Sequence, residues 1–273
     1  MRDDRLLPAS KWSFGVILPV LATAFVLLYV WPGETHRLWA WTIKPDITPL
    51  AMGGGYLSGA WFFGRVLVKG EWHRAHVGVL ATCVFTTLLG IATFLHWGKF
   101  NHDHVTFIGW LFLYVATPLL LPVLWVTNGE YDPRTPAPDD VVLGRGLRTV
   151  LVVLGAAQLA FALALFINPK AFISHWPWLL TPLTARTLAS FAAFPASVWL
   201  LALIENRWSA FRYPMEAIAI GLSFTALGVL RARSALTGQA STQLLVVAAL
   251  LGTIAFMAVL IVVFRPRPAN ARS

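Results

Sequence analysis

The stretch HVGVLATCVFTTLLGIATFLH, from His76 to His96, contains no Asp, Glu, Lys or Arg. An α-helix rises about 1.5 Å per residue, so a run of about 20 apolar residues matches the hydrocarbon core of a bilayer. Runs of this kind recur along all 273 residues. Read between polar breaks, they predict eight spans. The first four are Trp12–Trp31, Thr48–Val68, His76–His96 and Val105–Val126. The second four are Leu147–Ile167, Thr184–Ile204, Met215–Leu230 and Gln243–Phe264. The seventh is the shortest, because Glu216 enters it and Arg231 closes it. The first has the outline of a signal peptide at Ala22-Thr23-Ala24, but its apolar run continues to Val30, which reads as a retained helix.

Composition agrees. The chain is 58% apolar and 12% charged, where a soluble domain carries about 25% charge. What remains outside eight spans is short loops and tails, which excludes a soluble hydrolase, kinase or nucleotide-binding domain. The net charge of +9 is scattered through the loops rather than gathered on one element, so it fits topology and anionic lipid, not nucleic acid. Of 21 Lys and Arg, 14 fall in the two termini and the even-numbered connections. That bias puts both termini in the cytoplasm, with a bacterial cytoplasmic (inner) membrane as the expected location. The single cysteine, Cys83, has no partner with which to form an internal disulfide.

The chain also repeats itself. Trp39-Ala40-Trp41 followed by Thr48-Pro49-Leu50 returns as Trp176-Pro177-Trp178 followed by Thr181-Pro182-Leu183. Leu28 to Pro32 matches Leu165 to Pro169 at the same offset of 137 residues as the tryptophans. The expected fold is therefore an all-α integral membrane protein of eight transmembrane helices, built as two parallel four-helix repeats. The repeats are 1–131 and 141–273, joined by a Pro/Asp-rich cytoplasmic linker at 132–140 that reads as a solvated connector. Small residues at four-residue spacing, Ala51, Gly55 and Gly59 in the second span and Ala189, Ala193 and Ser197 in the sixth, mark close helix packing. These two spans belong near the centre, against each other or against the seventh.

Candidate chemistry concentrates in the third connection, His96-Trp97-Gly98-Lys99-Phe100-Asn101-His102-Asp103-His104. Imidazole suits copper, zinc or haem iron, so His96, His102, Asp103 and His104, with His175 from the second repeat, form a candidate metal set on the outer face. The same residues also serve as helix caps and interfacial polar groups. The pairs Trp39/Trp41 and Trp176/Trp178 are candidate ledges for a lipid-like ligand or a partner helix, or else part of an anchoring belt. Arg65, Glu205, Glu216 and Arg231 lie near span ends, and only uncharged polar residues lie deeper, which argues against an ion-coupled transporter. No catalytic constellation is present, and the chain does not read as an enzyme. Three functions stay open. The first is an accessory or structural subunit of a membrane complex, or a lipid-like-ligand binder, with membrane lipids and other membrane subunits as partners. The second is a metal- or haem-binding redox protein, and the third a channel or carrier for a neutral or hydrophobic solute.

Overall fold

The computed structural model describes residues 3–137, 140–237 and 239–264. Eight long helices follow one another. The first four are α1 (Pro8–Val30), α2 (Ile47–Lys69), α3 (His76–Leu95) and α4 (Val105–Gly129). The others are α5 (Arg145–Ile167), α6 (Pro182–Leu200), α7 (Trp208–Arg231) and α8 (Ala240–Val263). Among the described residues there is no strand, only two isolated antiparallel bridges.

Seven of these helices are long and apolar enough to cross a membrane. The exception is α2, which spans 23 residues but carries Gly53-Gly54-Gly55, Ser58 and Arg65, all of which lower its hydropathy. It lies inside the bundle, where its neighbours are protein and an apolar surface is not required. The seventh helix starts at Trp208, well before the Met215 read from hydropathy, because Arg212 and Glu216 pair side by side on its first turns.

Local chemistry sets the helix ends. Gly70 ends α2 with φ +72°, a left-handed conformation that glycine takes without steric cost, and its N–H closes on the Val66 carbonyl. Thr181 and Thr184 form a reciprocal capping box at the start of α6, with Pro182 in the first turn. Pro118 cannot donate to the Tyr114 carbonyl, and Gly90 of α3 approaches that freed oxygen. A Cβ on Gly90 would lie 2.7 Å from it.

In packing, α2 lies between α1 and α7, and α6 lies between α5 and α3; α4 covers α3 and α8 covers α7. The central helix pair is therefore α2 with α7, one of the two arrangements expected, while α2 and α6 barely meet. A Cβ on Gly54 would come within 2.7 Å of the Gly221 carbonyl oxygen, so this seam closes on bare backbone. Gly55 lies under the Phe191 ring of α6, and Gly59 under Leu21 of α1. Ala189 and Ala193 are fully buried in α6, and Ser197 nearly so.

Connections gather at two ends. At one, the histidine end, Asn101 N–H reaches Ala40 O and Thr237 N–H reaches Pro177 O. At the other, the terminal end, Leu6 N–H donates to Gly70 O and Trp72 N–H to Asp4 O, both at 2.9 Å. The same pattern occurs again there, with Leu143 N–H on Asn206 O at 2.8 Å and Trp208 N–H on Val141 O at 2.9 Å. An aspartate accompanies each bridge: Asp4 accepts from His73 N–H, and Asp140 from Ser209 N–H.

Candidate functional site

At the histidine end, each predicted histidine ligand bonds a protein group. The extended backbone of His104 caps α4, and its Nδ1 accepts from Thr106 N–H. Its Nε2 then donates to Arg37 O at 2.8 Å, so both ring nitrogens are used. His102 bonds Trp97 O at 3.0 Å and leans on the Trp97 and Phe107 rings. His96 Nε2 accepts from Arg186 at 2.7 Å. Burial and then the cations Arg186 and Lys99 keep its pKa below the ordinary imidazole range. His175 meets Ser174 in its own loop, and Asp103 lies in the turn before α4. Among the described residues, no three His, Cys, Asp or Glu side chains gather where a metal ion would sit.

The tryptophan pairs, candidate ledges or parts of an anchoring belt, are largely covered by protein. Trp39, Trp41 and Trp178 are buried and Trp176 half-buried. Trp39 and Trp41 pack edge-to-face on Trp110 at 5.9 and 4.9 Å, beside the buried hydroxyl pair of Tyr56 and Tyr114. Trp178 donates to Thr48 Oγ1 across the bundle at 3.0 Å. Trp39 and Trp41 pack with residues of α2 and α4, while Trp178 packs with Leu165 of α5, Ala185 of α6 and Val229 of α7.

The densest chemistry lies at the opposite end, where the sequence reading expected a solvated linker. Asp132 is instead 7% exposed, and it receives Arg207 Nη1 at 2.6 Å and Nη2 at 3.0 Å. Arg207, 4% exposed, also donates through Nη2 to Glu205 at 2.6 Å. Glu205, 8% exposed, faces His76 Nε2 at 2.9 Å. His76 Nδ1 faces His73 O, also at 2.9 Å, so both ring nitrogens are engaged.

Burial pushes the Glu205 carboxyl up, but the bonds from His76 and Arg207 outweigh it and hold the group well below the usual carboxylate range. Asp132 behaves likewise, with burial opposed by Arg207 and by the Arg134 amide. Burial also disfavours the charged form of Arg207, yet its two acids raise its pKa further. The same end holds Arg65 against Glu216 at 3.5 Å, within α2 and α7, with the guanidinium 4.7 Å from the Tyr213 ring. The cluster joins elements far apart in sequence: His76 begins α3, Asp132 follows α4, and Glu205 and Arg207 precede α7. Its sequence signal is faint, an echo between Glu71-Trp72 and the segment Glu205 to Trp208.

No family model, curated protein or solved structure matches the chain. Its chemistry is read from geometry alone. The charge cluster pairs acids and bases drawn from the start of α3, the segment after α4 and the segment before α7.

Proposed function

We propose that this chain is a non-catalytic polytopic membrane protein serving as an accessory or structural subunit of a membrane complex. The observation that carries this reading is the closed charge cluster of Arg207, Asp132, Glu205 and His76. It engages its own acids and bases with one another and ties helices together, as a scaffold requires. The apolar helices α1, α5 and α8 are the least buried of those long enough to span, and α8 the least of all, which leaves broad surfaces for lipid or neighbouring subunits.

In this reading α2 is the eighth span, shielded from lipid by α1 and α7. The architecture is a parallel duplication of four helices. Exchanging α1–α4 for α5–α8 turns the α1/α2 contact into α5/α6, α3/α4 into α7/α8, and α2/α7 into α6/α3, all of which are packed. The two backbone bridges obey the same exchange, since Leu6 and Leu143 lie 137 residues apart, as the tryptophan pairs do. Residues 3–7 and Phe264 lie at one end, which accords with both termini being cytoplasmic, as the Lys and Arg bias predicts, and with a bacterial inner membrane.

The test is extraction from native membranes in mild detergent, followed by weighing the intact assembly by native mass spectrometry. A stoichiometric partner subunit is the expected result. A lone chain or homo-oligomer overturns the subunit role, and an excess mass equal to one metal ion or haem would favour the redox reading on His96, His102 and His104.

A further inference from the structure

A cleft of about 350 Å³ opens at the histidine end between the α1–α2 and α7–α8 connections. Lys44, Asp46, Arg231 and Ser234 line it, over a floor that includes Leu50 and Pro32. Its charges are disposed unlike those of the opposite end, where Arg207 is paired with Asp132 and Glu205. Among the described residues, the Lys44 ammonium and the Asp46 carboxylate have no ion-pair or hydrogen-bond partner. Asp46 precedes α2 without capping it through its side chain. Arg231 is held in place by bonds to the last carbonyls of α1, Nη1 to Tyr29 O at 2.6 Å and Nη2 to Val30 O at 3.3 Å. The guanidinium is therefore positioned at the rim with a fixed orientation.

Below the rim lies an apolar seam. Tyr29 of α1 donates to Phe224 O of α7 at 2.9 Å and packs on the Phe224 ring with Phe25. Outside this seam Val30, Leu227 and Leu230 are 46%, 54% and 63% exposed, all within the last turns of membrane-length helices. A polar cleft with two cations and one acid, beside the exposed apolar ends of membrane-length helices, has the composition of a phospholipid site.

We infer that this cleft binds one bilayer phospholipid with a phosphoethanolamine headgroup. Lys44 and Arg231 receive the phosphodiester, Asp46 receives the primary ammonium, and the acyl chains lie along Val30, Leu227 and Leu230. The site is independent of the subunit role, because it needs no partner chain.

The experiment uses the full-length protein in detergent, with one lipid added at a time: dioleoyl phosphatidylethanolamine, phosphatidylglycerol or phosphatidylcholine. Native mass spectrometry reads the one-to-one adduct. Phosphatidylethanolamine is expected to give a saturable single adduct at lower concentration than the other two. Lys44 is exposed, so Lys44→Ala weakens that adduct by about two- to fivefold. Asp46→Asn weakens the phosphatidylethanolamine adduct while leaving phosphatidylglycerol unchanged or stronger. Both positions are at the surface, and unchanged elution on size exclusion verifies the fold of each variant. Equal adducts for all three lipids, or variants indistinguishable from the parent, overturn the site. Soluble glycerophosphoethanolamine in tenfold excess should leave the lipid adduct intact; displacement at equal concentration overturns the assignment to a bilayer lipid.

Discussion

Arg207 draws Asp132 and Glu205 into one buried group, and His76 joins it from a third element. Removing such charges from water costs several kcal/mol per ion, so the group adds little net stability over a well-packed apolar equivalent. It does penalise any arrangement that leaves one member unpaired, and in that way it fixes which helices meet. Its pH response has a definite sign. Both carboxyls titrate below their ordinary range in the folded chain, so their contribution is complete above about pH 5, where unfolded carboxylates are ionised. It is lost as the pH falls through their depressed folded-state values. The apparent melting temperature in detergent should therefore drop between pH 5 and pH 3, and Glu205→Gln should flatten that drop while lowering the value at neutral pH. An unchanged slope in the variant would place the acid sensitivity elsewhere.

At the scale of elements, the α2/α7 seam depends on two glycines facing each other. A Cβ on Gly54 falls 2.7 Å from Gly221 O, and a Cβ on Gly221 falls 2.8 Å from the Ser58 Cβ. Backbone cannot yield as a flexible side-chain tip can, so Gly54→Ala forces the helices apart at a cost of about 1–3 kcal/mol. Gly15 of α1 and Gly109 of α4 have nothing within 4 Å of such a Cβ. There the same substitution reduces backbone entropy in the unfolded chain and favours helix by about 0.5–1 kcal/mol. Thermal denaturation in detergent should move in opposite directions for Gly54→Ala and Gly15→Ala. Equal shifts would mean that the seam is not closed on backbone.

For the molecule as a whole, the most extensive helix pair, α2 with α7, crosses the midpoint of the chain. Helix α2 belongs to the first half and packs on α7; α6 belongs to the second and packs on α3. The charge cluster crosses it too, from His76 and Asp132 to Glu205 and Arg207. Segments 1–137 and 138–273, produced together as separate chains, should accordingly purify as a one-to-one complex. Each produced alone should aggregate or be degraded, because its central helix has lost one of the two helices that flank it. Two halves that each remain soluble in detergent and ignore one another would contradict an interlocked bundle.

Much of this was legible along the chain. Uncharged runs such as Val77–Leu95 need lipid or a protein core around them wherever they lie, so helix number and approximate position follow from local composition. The small-residue stripe of α2 likewise announced close packing, since a missing side chain leaves its mark in sequence whatever the neighbour is. What sequence could not supply was the identity of the neighbour. Gly54 does not name Gly221, and Asp132, set among prolines, looks like part of a solvated linker until Arg207 is placed beside it. His96, His102 and His104 stand close in sequence as ligands would, yet each bonds a different protein group, because loop folding and not spacing directs a side chain. Composition determined that this chain forms a bundle of membrane-length helices, because hydrophobic burial is additive and local. Only the tertiary structure decided which charges are paired and which remain open, because an ion pair depends on the distance between residues that the sequence leaves far apart.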